Sequence, residues 1–343
     1  MQNGKRALLW IVVLVNEADM NAWASISENT VTQRADLRNI EDLSDAVLGA
    51  GLEAVQLSND PVSGSLTFTQ FDGITCSSGH IQGKVLLDGA LSEDQVTLGA
   101  GLAISPGARH WVHSEIQDGS AALFHPGDGH HALYEADNLY AVVSMPMELL
   151  EHLAAEDGVV IDKRALGGTR IDGDVLPRAT TAMLRRGFMR LHTHDRVSPI
   201  EAKITAEMLL AAVIDHFGHD ANHVRQPKSP SAQARVVSES LEFISANLEG
   251  PLTIGAIANA AGTSRRSLHR AFAELLGETP GTYIRKLRLN RIRRDIVSDT
   301  ERAATITILS MQWGISELGR FSGWYREHFG ELPSETMARY RHH

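Results

Sequence analysis

The chain has 343 residues, 43% of them hydrophobic and 22% charged, a composition that excludes disordered and collagen-like chains. This length suits two or three domains. The net charge of −10 would argue against a nucleic-acid-binding protein if it were evenly spread. From Gln233 onward, however, the chain holds 15 Lys/Arg and 12 Asp/Glu, whereas the remainder holds 17 and 30. A mildly basic C-terminal region on an acidic body is typical of a nucleic-acid-binding module joined to another domain.

The sole cysteine, Cys76, excludes an intramolecular disulfide and a cysteine-based metal cluster. It fits a reducing compartment, so we expect a cytoplasmic protein. Residues 1–30 form an extension whose place in the fold is open. Its apolar run, residues 7–15, is too short to cross a bilayer. It resembles a signal peptide superficially, but the true start could equally lie near Met20, or the segment could add a strand or helix to the body.

Residues 31–150 predict a β-rich domain. Residues 32–49 change from polar to apolar and suggest a helix or an arm. Beyond them, short runs rich in Val, Leu, Phe and Thr are broken by Gly, Pro, Asn and Asp, which indicates an antiparallel sandwich or barrel. The predicted strands cover residues 53–58, 65–72, 74–78, 81–89, 96–105, 122–126 and 139–145.

Helical patterning follows, with helices predicted over residues 147–158, 177–192 and 199–217. The last of these carries two apolar faces, one with Ile200, Ile204, Met208 and Ala211 and the other with Leu210, Ile214 and Phe217. Two such faces suggest that one packs on the body and the other on a partner subunit; a fully buried helix is the alternative. We therefore assign 151–218 to a helical dimerisation region and the polar stretch 219–234 to a linker.

Residues 235–343 contain the same pattern twice. Equivalent residues are 53 positions apart, which marks two copies of one supersecondary unit, too few for a solenoid. The pairs are Phe272 and Tyr325, Leu276 and Phe329, Gly277 and Gly330, Glu278 and Glu331, and Pro280 and Pro333.

Each copy has the residues that a helix-turn-helix requires. In the first, Ala258 lets the helices cross closely, Gly262 takes the turn, and Leu268 seats the second helix. Ser264 is a natural N-cap for that helix. In the second copy Ser310, Gly314 and Phe321 play these parts, with one additional residue in the turn. An ordinary helical hairpin could explain one copy, but the repetition disfavours it.

The second helix of the first copy places Arg265, Arg266, His269 and Arg270 opposite its apolar stripe. Arginine side chains can bind guanine O6 and N7 or clasp phosphates. The following helix carries six further cations, a density suited to a rod that faces phosphates. They are Arg285, Lys286, Arg288, Arg291, Arg293 and Arg294.

These residues resemble the DNA-binding domain of the AraC/XylS family of bacterial transcription regulators. The resemblance covers residues 233–340, about a third of the chain, and its most specific pieces are A-x-x-A-G-x-S (258–264), L-x-R-x-F (268–272) and W-G-I-S-E-L-G-R-F-S-x-x-Y-R-x-x-F-G-x-x-P (313–333). It implies two helix-turn-helix units, joined by a long helix, that enter successive major grooves of double-stranded promoter DNA.

The resemblance also implies an N-terminal cupin-like jelly roll that binds a small-molecule effector, and a homodimer formed through the helical region. It implies no required cofactor, and contact with RNA polymerase if the protein is an activator. The expected architecture is therefore a multidomain α+β protein with a β-rich sensor, a helical dimerisation region and an all-α DNA-binding domain.

The chain departs from the family pattern in the second recognition helix. Gly319 and Gly323 stand where the family usually has a polar and a basic residue, and each glycine weakens a helix by about 1 kcal/mol. We expect base reading to be stronger in the first unit. The predicted DNA-binding residues are Ser264, Arg265, Arg266, His269, Arg270, Arg320, Ser322, Trp324 and Arg326.

The β-rich region contains two further candidate sites. His110, His113 and Glu115 form only H-x-x-H-x-E, and residues 110 and 113 would point to opposite faces of a strand. We therefore expect no metal and no catalytic residue. The alternatives are a metal-dependent cupin enzyme fused to a helix-turn-helix domain, or a constitutive DNA-binding protein without a ligand.

The second site resembles the arginine motif of PilZ domains, which bind cyclic di-GMP. It comprises Gln33-Arg34-x-x-x-Arg38, followed by Asp42-x-Ser44. The family's partner motif, [DN]-x-S-x-x-G, is imperfect because its glycine falls at Gly49 instead of position 47. Forked cations suit a dianion, so Arg34, Arg38, Asp42 and Ser44 are candidate ligand-binding residues. Two arginines four positions apart are also common on a solvated helix or arm.

Overall fold

The computed structural model describes residues 30–48, 52–110, 114–156, 158–161, 169–193, 197–218, 232–298 and 304–341. The predicted extension up to residue 29 and most of the predicted linker lie outside these residues. The chain divides into two compact units. The second unit holds residues 230–343 together with residues 55–61 and 83–86, and the first holds the rest. No helix in the described part of the chain is long and apolar enough to cross a membrane.

The strands form two antiparallel sheets, which confirms the predicted β-rich sandwich. The larger sheet has the order β1-β3-β4-β11-β6-β9-β12 and the smaller has β2-β5-β10-β7-β8. The strands are β1 (Val31–Leu37), β2 (Leu52–Gln56), β3 (Ser63–Phe71), β4 (Ile74–Gln82), β5 (Val85–Ala90), β6 (Val96–Ile104), β7 (Arg109–His110), β8 (Ser114–Glu115), β9 (Ser120–Phe124), β10 (Gly129–Tyr134), β11 (Asp137–Met145) and β12 (Arg170–Val175).

Strand β6 shows why the core of the first unit lies on the larger sheet. It is buried over seven consecutive residues, as expected for a strand covered on both faces. Leu98, Ala100 and Leu102 belong to the main apolar cluster of this unit, with side chains from β11 and three helices. Gly99 and Gly101 alternate with them and face the other side of the sheet.

The prediction of a single helix or arm over residues 32–49 is wrong in its first half. Residues 31–37 form β1, which pairs along its whole length with β3, and α1 (Ile40–Leu48) follows. The polar side chains of these residues do not indicate a strand, because the residues with which they pair lie 27 to 39 positions further along the chain. The run 81–89 is likewise two strands, separated where Gly83 adopts a φ of 106°.

The three helices predicted after the strands are present as α2 (Met147–Glu156), α3 (Arg178–Thr193) and α4 (Pro199–Phe217). Helix α4 has one buried face and one exposed face. Ile214 and Phe217 are buried, whereas Ile200 is 73% exposed and Ile204 is 51% exposed. The alternative of a fully buried α4 is therefore wrong.

His192, near the end of α3, forms a buried polar contact with the larger sheet. Ser65 Oγ lies 2.7 Å from its Nδ1 and Ser78 Oγ lies 2.9 Å from its Nε2. Burial, together with the nearby His80 and Arg34, lowers the pKa of His192 to about 3. The ring is therefore neutral near pH 7.

We predict that acid weakens the fold through this histidine. Its folded-state pKa lies below the unfolded value of about 6.5, so the unfolded chain binds more protons between pH 6.5 and 3. The free energy of unfolding should fall as the pH is lowered through this window, by up to about 1.4 kcal/mol per pH unit. Thermal unfolding of the full chain against pH should show a shallower dependence in His192→Gln.

The control is His152→Gln, because His152 is mostly exposed and its imidazole lies 3.4 Å from the Glu156 carboxylate. Buried His130 and His328, with pKa values of about 3 and about 4, should leave a residual pH dependence in every variant. Equal slopes for the two variants would contradict the prediction.

The described part of the second unit is mainly helical. Its helices are α5 (Ala232–Ala246), α6 (Ile254–Ala260), α7 (Arg265–Leu276), α8 (Pro280–Ser298), α9 (Ile306–Gln312), α10 (Leu318–Phe329) and α11 (Pro333–Arg341).

Candidate nucleic-acid interface

The two helix-turn-helix units, α6 with α7 and α9 with α10, share the backbone conformation of their turns. The turn glycines Gly262 and Gly314 have φ values of 57° and 69°, a left-handed conformation that glycine adopts without a Cβ clash. The following amide of Thr263 donates to Ala258 O at 2.8 Å. In the second unit the Ile315 amide donates to Ser310 O at 2.9 Å. The predicted repeat is thus a repeat of structure.

The caps of the helices also repeat. Thr253 caps α6 and Thr305 caps α9, each by accepting a hydrogen bond from an amide three residues on. Ser264 caps α7 as predicted, accepting from the Ser267 amide at 3.1 Å. Left-handed Gly277 and Gly330 end α7 and α10. Helix α10 differs at its start, where Glu317 makes no capping bond.

Helix α7 presents a cationic face to solvent. Leu268 and Phe272 are fully buried, and they fix the opposite side of the helix outward. The predicted DNA-binding residues Ser264, Arg265, Arg266, His269 and Arg270 are all exposed. Arg270 lies 4.0 Å from the Glu274 carboxylate, a weak exposed pair that a phosphate or a base could displace.

Helix α10 presents a barer surface. Arg320, Ser322 and Arg326 are exposed, and Arg320 pairs with Glu317 at 3.0 Å. A Cβ added at Gly319 or Gly323 would meet no atom within 4 Å. The centre of the outward face of α10 is therefore helix backbone, where α7 carries Arg266 and Arg270.

Trp324 differs from the other predicted DNA-binding residues because it is only partly exposed. It packs against the apolar core of the second helix-turn-helix unit, and the Arg285 guanidinium lies 5.1 Å from the centre of its ring. The indole of Trp324 therefore packs α10 against Arg285 of α8.

The expectation that α8 is a rod facing phosphates is wrong. Of its six cations, only Arg294 is exposed. Arg293 is 5% exposed and pairs with Glu331 at 2.8 Å, Lys286 pairs with Glu278 at 2.5 Å, and the Arg291 guanidinium lies 5.7 Å from the Trp313 ring. The sequence shows the charge density of α8, but these partners lie on other parts of the chain.

Arg288 has the most extensive contacts of these cations. Its guanidinium donates to Leu248 O at 3.1 and 3.2 Å, to Gly250 O at 2.7 Å and to Gly314 O at 2.8 Å. Leu248 and Gly250 precede the first helix-turn-helix unit, and Gly314 is the turn of the second. Arg288 therefore ties both units to α8.

Comparisons with known proteins agree with this geometry. A family model described as a helix-turn-helix domain matches residues 257–339. The probable thc operon regulatory protein of Rhodococcus erythropolis is 30% identical over 55% of this chain and 58% of its own length. XylDLEGF operon transcriptional activator 1 of Pseudomonas putida is 27% identical over 66% and 70%.

Among solved structures, a probable AraC family transcriptional regulator from Rhodopseudomonas palustris CGA009 is 35% identical over 31% of this chain and 97% of its own, with a TM-score of 0.30. The C-terminal domain of the chain is a helix-turn-helix domain of the AraC/XylS type. The match of the chain spans little more than half of the Rhodococcus relative. All three of these proteins are named as transcriptional regulators or operon regulatory proteins.

The other predicted sites are only partly described. His113 lies outside the described residues. His110 lies beside His130, with ring centres 5.3 Å apart. No three His, Cys, Asp or Glu side chains within the described part of the chain are grouped so that they could hold a metal ion.

The predicted arginine motif lies on β1 and the start of α1. Arg34 pairs with Asp36 at 2.6 Å, whereas Arg38 has an 84% exposed side chain. Asp42 accepts from the Arg38 amide at 2.8 Å, so its carboxylate helps to start the helix, and Ser44 is partly buried. Arg34 therefore lies in the strand and Arg38 lies just after it, so the two arginines do not share one helix.

We predict that Arg288 stabilises the DNA-binding unit more than the exposed Arg294 does. Arg288→Ala leaves carbonyl oxygens in a partly buried site without a donor, so it should lower the free energy of unfolding by about 1–3 kcal/mol. Arg294→Ala should change it by about 0.5 kcal/mol or less. Urea unfolding followed by circular dichroism measures both values, and equal losses would contradict the prediction.

Proposed function

We propose that this chain is a ligand-responsive, sequence-specific DNA-binding transcription regulator that acts in the cytoplasm on promoter DNA. The observation that carries the proposal is the pair of matching helix-turn-helix units, the first of which exposes Arg265, Arg266, His269 and Arg270. As an activator it would contact RNA polymerase.

Helix α8, which joins the two helix-turn-helix units, has a length that suits contacts with two adjacent grooves of DNA. Helix α8 has 19 residues, which at 1.5 Å per residue span about 28 Å. Successive major grooves on one face of DNA are about 34 Å apart. We infer that α7 reads bases through arginine. We infer that α10 contacts mainly the phosphate backbone of DNA through Arg320, Ser322 and Arg326, because its outward face has no side chains at Gly319 and Gly323.

We predict that Arg270→Ala weakens specific DNA binding by about 1–3 kcal/mol and relaxes the sequence preference at one base pair. The reason is that a guanidinium can make a bidentate contact with guanine. Fluorescence anisotropy against a duplex enriched by the wild-type chain from a random library, and against its single-base variants, measures this change. Arg294→Ala is the control. An equal loss on every duplex would make Arg270 a phosphate contact instead.

We propose that the effector binds inside the β-sandwich, where a cavity of about 40 Å³ lies. Burial keeps its lining uncharged, since it lowers the pKa of His130 to about 3 and raises the pKa values of Tyr134 and Tyr140. His130 Nδ1 has no hydrogen-bond partner among the described residues. Other residues that line the cavity are Gly99, Gly101, His110, Ala122, Phe124, Val142 and Ile171.

This chemistry favours a small neutral ligand that is largely apolar and offers one polar atom to His130. A charged ligand would lose its hydration without gaining a counter-ion there. A cavity of about 40 Å³ is well below the roughly 150 Å³ that accommodates benzene. A larger effector would therefore have to displace the lining side chains.

Cyclic di-GMP is the second candidate effector. The supporting observation is the exposed Arg38 beside the start of α1, which could clasp a phosphate. Arg34 would first have to leave Asp36, with which it pairs in this structure.

We predict that an effector stabilises the chain thermally and that the shift survives Arg34→Ala with Arg38→Ala but disappears in Ala122→Leu. The leucine fills the cavity without altering the arginines. A thermal-shift screen of small neutral compounds and cyclic di-GMP on all three proteins measures this. Stabilisation by cyclic di-GMP that is lost only in the double arginine variant would overturn the cavity and support the arginine motif.

We further propose that the chain forms a homodimer through the exposed face of α4. The supporting observation is the exposure of Ile200 and Ile204 on a helix whose other face is buried, because such apolar surface on a soluble helix suits a partner subunit. The molar mass in solution tests this proposal.

A further inference from the structure

The DNA-binding unit contains a short segment, residues 55–61, that the helix-turn-helix pattern does not include. Gln56 in this segment is 3% exposed. Its main-chain amide donates to Asn290 Oδ1 at 3.0 Å, and Asn290 Nδ2 donates to the main-chain oxygen of Gln56 at 3.0 Å. The side chain of Asn290, in the middle of α8, thus pairs with the main chain of Gln56 as a neighbouring strand would.

The same glutamine contacts the second recognition helix. Gln56 Nε2 donates to the main-chain oxygen of His328 at 3.1 Å, and His328 Nε2 lies 3.0 Å from Gln56 O. His328 is in the last turn of α10, where main-chain carbonyls lack helical partners. Burial lowers the pKa of His328 to about 4. The ring is therefore neutral, and Nε2 carries the proton because a carbonyl oxygen only accepts.

Two lysines complete the contacts. Lys286 Nζ donates from α8 to Leu57 O at 2.5 Å. Lys84, in the other inserted segment, donates from Nζ to Leu276 O at 3.1 Å, and Leu276 is the last residue of α7. The two segments therefore bind the C-terminal ends of both recognition helices and the middle of the helix between them.

We propose that Gln56, Asn290 and His328 position α10 against α8 and so set the base-pair spacing that the two helix-turn-helix units accept. The inference rests on the proposed DNA-binding function. Buried polar groups that bond one another permit few alternative arrangements, because a shift leaves donors and acceptors unpaired. Adjacent base pairs are about 3.4 Å apart along the helix axis, so a displacement of α10 by that distance corresponds to one base pair.

The test uses the full chain and the duplex that the wild type enriches from a random library. Two further duplexes carry one inserted or one deleted base pair between the two contacted segments. Wild type should lose about tenfold in affinity on the altered duplexes, as for a typical mismatch. Asn290→Ala should lose affinity on the original duplex and discriminate less than about threefold between the spacings.

Asn247→Ala is the matched control, because Asn247 is exposed and its side chain bonds only Phe243 O. It should keep the wild-type spacing preference. Gln56→Ala removes the side-chain donations to His328 O and Ser58 O but keeps the main-chain pairing with Asn290, and it should weaken the preference in the same direction as Asn290→Ala. It also keeps the proposal testable if Asn290→Ala does not fold, as judged by circular dichroism.

The outcomes separate the two proposals. If wild type enriches no duplex, the proposed DNA-binding function fails. If wild type binds but Asn290→Ala and Gln56→Ala lose affinity equally on all three duplexes, the cluster serves stability alone and the positioning inference is overturned.

Discussion

The guanidinium of Arg288 holds together the part of this protein that carries the DNA-binding face. It donates to carbonyl oxygens of Leu248 and Gly250, ahead of the first helix-turn-helix unit, and of Gly314, the turn of the second. A guanidinium suits this role because its five N–H donors lie in one rigid plane, whereas a lysine ammonium is a single point. Burial lowers the pKa of Arg288 from its usual value. Each of these carbonyl oxygens accepts from a charged donor, and without Arg288 water would have to take the place of that donor.

The same constraint explains where DNA contacts can lie. The side chains of α8 are mostly engaged in internal contacts, so α8 supports the two helix-turn-helix units. The exposed cations that can reach DNA therefore come mainly from α7 and α10. Those two helices share their terminal left-handed glycines, the turns that precede them and their buried stripe, yet α7 exposes Arg266 and Arg270 where α10 exposes Gly319 and Gly323. The repeat therefore supports an asymmetric division of work, with base reading concentrated in the first unit.

The β-rich unit of the chain supplies a different kind of environment. Its cavity is lined by aromatic rings and by the neutral imidazole of His130, and burial of these groups favours a neutral ligand over an ionic one. A ligand regulates such a protein only if it binds one arrangement of the chain more tightly than another. In the DNA-binding unit, the contacts of Gln56 with Asn290 and His328 hold α8 and α10 in one arrangement.

The sequence by itself determined the repeated unit, its turn glycines, the Ser264 cap and the helices α2 to α4, because each depends on residues within one or two helical turns. Only the tertiary structure decided that residues 31–37 form a strand, that Arg288 and Arg293 are internal, and that Gln56 completes the DNA-binding unit. The partners in those cases are 26 to 272 residues distant along the chain. A charged or amide side chain reads the same in sequence whether it faces water or a buried carbonyl. Long-range packing alone distinguishes these cases, because it supplies the partner that offsets the cost of burial.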